Sequence, residues 1–525
     1  MSTETTVPNA KRLLWAGFMA ILAAGVGFAL RGGIFGAWAS EYNFTGAQLG
    51  AIGGAGFSGF CFGIIIGGVL VDKFGYGKLV ALALLGHIVS AFVTFGASTP
   101  QNAYDFLFWG MFIFAYANGT LEAVANPLVA TVFPENRTHY LNILHASWPL
   151  GMMIGAVASG LLGGGFLGIA GAGLTWKYQL AFYLVPTVAY AVMFLGQTFP
   201  KSEAAEKGAS FSDMFKDVGI LGSLVAGYLL SIFLGNVLGP VFHIDNLGLY
   251  LAGALLIAVG VITRFSLGSF LLFVLFITHA LVGAVELGTD GWIEAITGNL
   301  FTAEQGKMLF IWTSAIMFGL RFCAHWIETK LGLSPIGILV TSALLAFVGL
   351  QLASGMDSFP IALIALGIYA LGKTFFWPTM LAVVGDRFPR SGAVAMSIMG
   401  GIGMLSAGLI GGPGLGYAKD RFTAESLQKD APAAYASAKA SSESKFLFLA
   451  PVTAVAGDKL EAAKKAGEKG SADQKAIVAA NQAGDRATLK ADSFIPLTMA
   501  AIYLLLLFYF KSLGGYRALK IEEQV

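Results

Sequence analysis

The feature that most constrains this chain is a succession of long apolar runs. A helix needs roughly 20 predominantly apolar residues to cross the hydrocarbon core of a bilayer. Runs of about this length recur along the sequence and predict about fourteen membrane-spanning helices in an all-α integral membrane protein. The runs lie at 13–39, 47–71, 78–98, 104–133, 140–170, 177–199, 218–238, 247–264, 268–290, 307–328, 333–354, 359–384, 391–417 and 493–512.

The composition argues against a water-soluble body of this size. Only 12% of the 525 residues are charged and the mean hydropathy is +0.73, whereas soluble domains carry about 25% charged residues. A net charge of +2 does not indicate the basic surface that nucleic-acid binding requires. The two cysteines, Cys61 and Cys323, lie inside apolar runs, so no disulfide framework is expected. The sequence shows neither metal-ligand spacing nor a nucleotide-binding motif, so no metal or cofactor is expected.

The basic residues are distributed unevenly between the two sides of the predicted spans. Lys and Arg accumulate in cytoplasmic loops. Lys11 and Arg12 precede the first run and alternate loops carry most other basic residues, whereas the intervening loops carry little beyond Lys177 and Lys307. This asymmetry predicts a multi-pass protein of the cell inner membrane, with an uncleaved first span and both termini in the cytoplasm.

An internal repeat relates the first six predicted spans to the last six. LEAVANP in the fourth span places Glu122 five residues before Pro127, and GKTFFWP places Lys373 five residues before Pro378. A Gly-rich span follows each of these segments. Because transporters are commonly built from such repeats, we expect two six-helix units with the two remaining runs between them.

The repeat and two polar segments divide the chain into domains. We expect an N-terminal six-helix bundle at 1–200, a cytoplasmic linker at 201–217, two additional helices at 218–265 and a C-terminal bundle at 266–525. The polar segment 419–492 lies on the outer side between the last two spans and is rich in Ala, Lys, Ser and Glu. It is expected to be a solvated helical or partly disordered insert, with a partner-binding role as the alternative.

A short motif gives the first family resemblance. The string GVLVDKFGYGK at 68–78 resembles the loop signature between helices 2 and 3 of the major facilitator superfamily, with Asp72, Lys73 and Gly75 at its positions. The resemblance implies the major facilitator fold, in which two six-helix bundles move a small solute by alternating access, here with two additional central helices. It also implies that Asp72 and Lys73 clamp the inner loop to a neighbouring helix in the outward-open state.

A second stretch, at 121–151, resembles the fucose–proton symporter branch of that superfamily. In this branch helix 4 carries an acid before an A-N-P run and helix 5 starts with L-N, as this chain does. The resemblance implies that Glu122 is the proton-coupling carboxyl and that a sugar is the substrate. The chain departs from the branch in helix 1, where Gly32, beside Arg31, replaces a second acid.

Ionisable residues near mid-depth are the main candidates for chemistry. A charge at the bilayer centre costs roughly 2.5–3.5 kcal/mol on insertion scales, so these side chains are expected to face a cavity or one another. Glu122 either couples proton movement or forms a static pair with Arg31. Arg31 and Lys373 either bind an anionic substrate group or neutralise acids of the bundle. The candidates are Arg31, Glu122, Glu286 with Asp290, Lys373 and Arg321.

Two of these positions have more specific interpretations. Arg321 is followed one and two turns on by His325 and Glu328, which favours a gate salt bridge near the inner mouth over direct substrate contact. Glu286 and Asp290 lie four residues apart and hence on one helix face. They could bind a cation or sugar hydroxyls, and Asp290 could instead sit in the outer mouth.

Aromatic and neutral polar residues complete the candidate site. The tryptophans either stack on a sugar ring or pack as interface aromatics. The polar residues either line the cavity or make hydrogen bonds between helices. The aromatic candidates are Trp148, Trp292 and Trp377, and the polar candidates are Asn118, Asn126, Asn142 and His145.

The sequence therefore predicts a secondary transporter rather than an enzyme. The leading hypothesis is proton-coupled symport of a sugar or sugar-like solute. The alternatives are an organic-anion, peptide or drug porter of the same fold, and a non-transporting receptor whose outer insert is the working part. Expected partners are a small solute, protons and the lipid bilayer, and the protein is expected to be a monomer.

Overall fold

The computed structural model describes residues 7–42, 44, 46–201, 208 and 210–523. Most of the predicted linker at 201–217 lies outside the described residues. Each predicted apolar run coincides with one helix or with consecutive helices, except that the end of the run at 140–170 forms a short hairpin. The prediction of an all-helical membrane bundle is confirmed.

The N-terminal part of the chain folds into long helices joined by tight turns. Gly75 has a φ of +83°, which only glycine adopts readily, and this conformation permits the turn from the second helix into the third. The helices are α1 (Ala10–Tyr42), α2 (Gly46–Phe74), α3 (Tyr76–Phe95), α4 (Pro100–Val132), α5 (Arg137–Leu162), α6 (Trp176–Ala181), α7 (Leu184–Phe194), α8 (Phe211–Lys216), α9 (Gly219–Phe242) and α10 (Leu247–Ile262), and the strands are β1 (Gly165–Phe166) and β2 (Ile169–Ala170), paired antiparallel.

The C-terminal part contains more broken helices. Two single π-helical turns, Gly283–Gly288 and Ala407–Gly411, interrupt membrane helices, as π-turns often do at functional sites. The elements are α11 (Phe270–Val282), α12 (Thr289–Leu300), α13 (Ala303–Arg321), α14 (Ala324–Lys330), α15 (Pro335–Ser354), α16 (Phe359–Lys373), α17 (Phe376–Arg387), α18 (Gly392–Ser406), α19 (Gly412–Asp430), α20 (Pro432–Ala438), β3 (Lys439–Ser444), β4 (Val452–Val455), α21 (Gly457–Ala466), α22 (Ala472–Asp492) and α23 (Phe494–Ser512).

The predicted count of fourteen spans is not confirmed as a count of long apolar helices. Within the described residues, ten helices are long and apolar enough to cross a membrane, or eleven if the α13–α14 pair, bent by 54°, forms one span. The other three predicted runs fold as α4, as the broken α6–α7 pair and as α10. Helix α10 has only 16 residues, and α4 carries Asn118, Glu122 and Asn126.

The predicted outer insert has a fold of its own. Helices α19 and α22 continue two membrane helices beyond the bundle and pack along each other, and β3 pairs antiparallel with β4. Leu427, Ala434, Ile477 and Ala480 form part of a small apolar core under these elements. The described residues of this segment are therefore folded and mostly helical, as expected, and they do not form a partly disordered chain.

The N-terminal and C-terminal helices meet along α2 and α18 and along α5 with α13 and α17. On the face of the bundle that carries the termini, Arg137 donates to the Gly385 carbonyl at 2.9 Å and pairs with Asp386 at 3.3 Å. Tyr516 donates to the other oxygen of Asp386 at 2.8 Å. This face, which we call the terminus face, is therefore closed by polar contacts across the two parts of the bundle.

Close packing of α2 on α4 depends on glycine. A Cβ built on Gly63 would lie 2.1 Å from the Tyr116 carbonyl oxygen, and one on Gly59 would lie 2.2 Å from the Phe112 carbonyl oxygen. These atoms belong to the backbone, so a side-chain rotation cannot relieve the contact. The absence of a side chain is what allows the two helices to approach this closely.

We predict that Gly63→Ala lowers the thermal unfolding midpoint of the detergent-solubilised protein. Overpacking in a close-packed core costs about 1–3 kcal/mol, which exceeds the gain in helix propensity of about 1 kcal/mol from replacing glycine. The matched control is Gly50→Ala in the same helix, where an added Cβ meets nothing within 4 Å. Equal midpoints for the two variants would contradict the packing argument.

Candidate transport site

The centre of the bundle holds a cluster of buried polar side chains, and Trp377 joins its two glutamates. The indole Nε1 of Trp377 donates to Oε1 of Glu122 at 3.0 Å, and its backbone N–H donates to Oε2 of Glu286 at 3.3 Å. Both carboxyls are almost fully buried, at 4% and 3% exposure. One residue of the C-terminal part therefore contacts an acid from each part of the bundle.

A break between α16 and α17 makes the second of these contacts possible. Trp377 is the second residue of α17, and the first four N–H groups of a helix lack partners inside the helix. The N-terminus of a helix also carries a partial positive charge that stabilises a carboxylate. The break thus creates a favourable position for Glu286, which the π-turn Gly283–Gly288 presents from the neighbouring helix.

Arg321 links this acid to both parts of the bundle. Its Nη2 forms a salt bridge with Oε1 of Glu286 at 3.1 Å, and its Nε donates to the Thr374 carbonyl at 2.9 Å. Its Nη1 donates to the backbone carbonyl of His145 on α5. Three hydrogen bonds satisfy the guanidinium, which is 1% exposed, so the buried charge is both paired and hydrogen-bonded.

Glu122 has no such cation partner. Its Oε1 accepts from Nδ2 of Asn126 at 3.3 Å, and Nε2 of His145 lies 4.0 Å away. The same His145 nitrogen lies 2.8 Å from Oδ1 of Asn126, a contact in which an N–H can donate to the amide oxygen. Among the described residues, no Lys or Arg lies within salt-bridge distance of Glu122. Its contacts are neutral donors and an imidazole.

A second ion pair lies further along the same side. Lys373, at the end of α16, is fully buried and pairs with Asp290, the second residue of α12. The Lys373 ammonium also lies 5.2 Å from the centre of the Tyr369 ring. The carboxyl of Asp290 is 20% exposed, so this pair presents one polar side to a cavity and leaves no net charge.

A cavity of about 270 Å³ lies between the two parts of the bundle, in the half away from the termini. A smaller space of about 20 Å³, enough for one water molecule, adjoins the polar cluster. Trp148, Leu287 and Met404 line both spaces. The larger cavity is lined by Phe28, Arg31, Gly32, Phe35, Gly53, Phe57, Met111, Trp148, Pro149, Met152, Leu287, Asp290, Gly291, Phe310, Ser314, Met317 and Met404.

Arg31 is the cation of this cavity. Its guanidinium carbon lies 3.7 Å from the centre of the Phe114 ring and 4.9 Å from that of Tyr183. It donates to the Gly27 carbonyl at 3.2 Å and to the Ser90 hydroxyl at 3.4 Å, and its Nε has no hydrogen-bond partner. No carboxylate among the described residues forms a salt bridge with it, so the static pair with Glu122, the alternative interpretation of these two residues, is not formed.

The amino-acid sequence matches a known family over more than half of its length. The profile of the Major Facilitator Superfamily matches residues 17–288. The chain belongs to the Major Facilitator Superfamily. The family and the fold are those of membrane transporters.

Two relatives of this chain are transporters that are named for different solutes. The chain is 25% identical over 274 residues to the cis,cis-muconate transport protein of Acinetobacter baylyi, an alignment that covers 48% of this chain and 63% of the relative. It is 30% identical over 117 residues to the L-fucose–proton symporter of Escherichia coli, covering 22% of this chain and 26% of the symporter. The matches therefore span less than two thirds of either relative.

Solved structures share the fold of this major facilitator protein. The fucose transporter FucP in its outward conformation superposes with a TM-score of 0.55 at 17% identity, over 78% of this chain and 92% of that one. The human organic anion transporter TETRAN superposes with a TM-score of 0.57 at 16% identity, over 94% and 100%. At such identities the likeness shows the fold alone.

The structure brings most of the predicted site residues together. Six of them form the polar cluster, three line the larger cavity, and Lys373 lies behind that cavity's wall, paired with Asp290. Arg321, expected near the inner mouth, lies in the cluster instead. The cluster comprises Glu122, Asn126, His145, Glu286, Arg321 and Trp377, and the cavity residues are Arg31, Trp148 and Asp290.

Three predicted residues lie elsewhere in the bundle. Oδ1 of Asn118 accepts from the Nε2–H of His87 at 2.8 Å between α4 and α3, which is the helix-to-helix hydrogen bond of its alternative interpretation. Asn142 donates to the Thr379 hydroxyl at 3.3 Å across the two parts of the bundle. Trp292 packs near Gly412 and Gly416 at the start of α19. None of the three lines the cavity.

The predicted gating residues lie at the α2–α3 turn on the terminus face. Lys73 and Gly75 are exposed there. The sequence reasoning missed Arg137 and Asp386, which join the two parts of the bundle at this face. The internal repeat could have identified these two residues, because a Phe-Pro pair lies close to each of them, at 133–134 and 388–389.

We predict that Arg321→Gln strongly destabilises the protein, because it leaves the Glu286 carboxylate buried without its ion partner. Breaking a buried pair on one side typically costs about 3–5 kcal/mol. The double variant Arg321→Gln/Glu286→Gln should recover much of the thermal unfolding midpoint. The control is Arg517→Gln, whose pair with Glu523 is exposed and worth at most about 1 kcal/mol. A double variant less stable than the single one would contradict this pairing.

Proposed function

We propose that this protein is a proton-coupled symporter of a small organic anion with an apolar body. The observation that carries the proposal is Arg31, a buried cation on the wall of the cavity whose guanidinium has no carboxylate partner among the described residues. A buried charge is costly unless it is paired. A substrate carboxylate would supply the missing partner, and guanidinium groups suit carboxylates through their planar donor fork.

The charge balance of the site supports coupling to a proton. Arg321 neutralises Glu286, and Lys373 neutralises Asp290. Glu122 remains as the acid of the cluster without a Lys or Arg partner, and a proton can neutralise it. An anion on Arg31 and a proton on Glu122 together would leave no unpaired charge in the closed site. Neither ligand alone achieves this, which gives a physical reason for the two to move together.

The lining of the cavity supports an apolar substrate body. Aromatic and methionine side chains dominate the wall, and Arg31, Asp290 and Ser314 are its main polar groups. Ligand sites of this type bind an apolar body and use a few polar groups to fix its orientation. The relative from Acinetobacter baylyi is named a cis,cis-muconate transport protein. The unsaturated carbon chain of such a carboxylate fits this lining, and the dianion of a dicarboxylate would need a second proton for the same charge balance.

A sugar remains the second candidate substrate. It is favoured by the match to the L-fucose–proton symporter over 117 residues and by Glu122 with Asn126 in the stretch that resembles that branch. A sugar needs hydrogen-bond partners for several hydroxyls, however, and the larger cavity offers few. The anion is therefore the substrate that the geometry supports better.

We further propose the arrangement in the membrane and the moving parts. The protein would be a monomer in the cell inner membrane with cytoplasmic termini, built from two six-helix bundles with α9 and α10 as an additional pair. The terminus face would then be the inner gate, closed here by the contact of Arg137 with Asp386. Opening of this gate, with Asp72 and Lys73 at the neighbouring turn, would release the solute to the cytoplasm.

We predict that Glu122→Gln abolishes uptake driven by a pH gradient but retains exchange of solute across the membrane, because the amide mimics the protonated acid permanently. The measurement is solute-dependent proton influx into proteoliposomes, read with an internal pH dye, for cis,cis-muconate, benzoate and L-fucose in parallel. The control is Glu425→Gln on the exposed side of α19. Full gradient-driven accumulation by Glu122→Gln would refute proton coupling at this residue.

We predict that Arg31→Gln raises the half-saturating concentration of the anion about 10- to 100-fold, since hydrogen bonds to charged groups are worth about 1.5–3 kcal/mol. Arg31→Lys should recover part of this affinity because the charge returns without the planar fork. The control is Arg12→Gln, whose guanidinium donates to backbone carbonyls at the terminus face. If L-fucose drives proton flux and muconate and benzoate do not, the sugar replaces the anion as the substrate class.

A further inference from the structure

A buried carboxyl outside the central cluster remains unexplained by the site described above. Asp492 lies at the junction where α22 of the outer insert ends and the last membrane helix, α23, begins. It is 4% exposed. The Thr289 hydroxyl lies 2.6 Å from its Oδ2, and its Oδ1 is buried without a hydrogen-bond partner.

The groups around Asp492 include no cation that neutralises it. Lys373 on α16 pairs with Asp290 of α12. Lys419 on α19 pairs with Asp485, which lies about two helical turns before Asp492 on α22. The neighbouring helix α15 has no charged residue. Other titratable or charged groups on the packed elements include Tyr369 on α16, Arg486 and Lys490 on α22, and Tyr503 on α23.

Among these groups the two tyrosines are uncharged and the Lys490 side chain is exposed. The Tyr369 hydroxyl donates to the Val285 carbonyl at 2.9 Å, and Arg486 donates to the Met356 carbonyl at 3.0 Å. Among the described residues, no salt bridge reaches Asp492. An ionised carboxylate taken out of water needs a partner of opposite charge or several donors, and Asp492 has one hydroxyl.

We propose that Asp492 is a second proton-binding site, separate from Glu122 and occupied by a proton in this conformation. The proton removes the buried charge, and the protonated acid keeps the short hydrogen bond to Thr289. Because Thr289 begins α12 and immediately precedes Asp290, the site connects the outer insert directly to the helix that lines the cavity.

The position of the site gives the proton a role at the cavity. The Thr289 hydroxyl that contacts Asp492 belongs to the residue next to Asp290, which pairs with Lys373. Loss of the Asp492 proton would add a negative charge on this side of the Asp290–Lys373 pair and weaken the contact between α12 and α22. The proton therefore holds the outer part of the C-terminal bundle against the cavity. This role of the proton rests on the proposed transport function, whereas the protonation of Asp492 itself does not.

Infrared spectroscopy of the full-length protein in lipid nanodiscs at neutral pH tests the proposal. Wild type should show a carbonyl-stretch band of a protonated carboxylic acid that Asp492→Asn lacks. Asp485→Asn is the matched control on the same helix, and it should keep the band because Asp485 is paired with Lys419. Transfer to heavy water should shift the band, since a proton-binding site exchanges its proton with solvent.

The variant Thr289→Val tests whether the band belongs to Asp492. It should keep the acid protonated and move the band to higher frequency, because the hydrogen bond from the hydroxyl is lost. An unchanged spectrum in Asp492→Asn, or a band that does not exchange in heavy water, would overturn the proposal. The band of Glu122 is measured separately with Glu122→Gln, so failure of the proposed coupling at Glu122 and failure at Asp492 give different spectra.

Discussion

The buried charges at the centre of the bundle, each needing a partner, determine how its helices are arranged. Arginine, lysine and glutamate are stable at the centre of a membrane-embedded bundle when they are neutralised. A cation needs an anionic partner, and a carboxylate needs a cation or a proton. The salt bridges of Arg321 with Glu286 and of Lys373 with Asp290 meet this requirement inside the protein. Arg31 and Glu122 do not, and these two side chains are where a transported anion and a proton have a thermodynamic reason to bind.

Irregular helices supply the donors that make this arrangement possible. The break between α16 and α17 frees the Trp377 N–H and the Thr374 carbonyl, which bind Glu286 and Arg321 respectively. The π-turn Gly283–Gly288 carries Glu286 into the same space. Non-helical backbone is tolerated within a membrane protein where protein or a cavity surrounds it. The departures from regular helix therefore coincide with the site, and the straight helices form the supporting walls.

The sequence predicted the buried charges well because their cost in lipid leaves few alternatives. Glu122 and Lys373 were found from one repeat, and both lie at the centre of the bundle. Arg321 lies deeper than expected, because the break between α16 and α17 and the π-helical turn Gly283–Gly288 place the partners of its guanidinium, the Thr374 carbonyl and Glu286, in the cluster. For Asn118 two interpretations stayed open, because local pattern does not reveal whether a polar residue of α4 faces the cavity or the neighbouring helix α3.

The outer insert shows a different limit of sequence reasoning. Its Ala-rich and Lys-rich composition is typical of solvated helix, and helices α21 and α22 are present. The composition does not reveal that α19 and α22 continue membrane helices and pack on each other through Gly484 and Thr423. Long-range packing of this kind depends on partners far apart in the chain, which local pattern does not encode.

If a proton and an anion together neutralise the site, their joint binding allows the bundle to reorient. Pulsed electron paramagnetic resonance can measure this as a distance across the terminus face, with spin labels at Lys78→Cys and Lys330→Cys in a Cys61→Ala/Cys323→Ser background. We expect a longer-distance population when acidic pH and the transported anion are combined, and little change with either alone. A distribution that opens equally with only one of the two, or that never responds to them, would contradict this expectation.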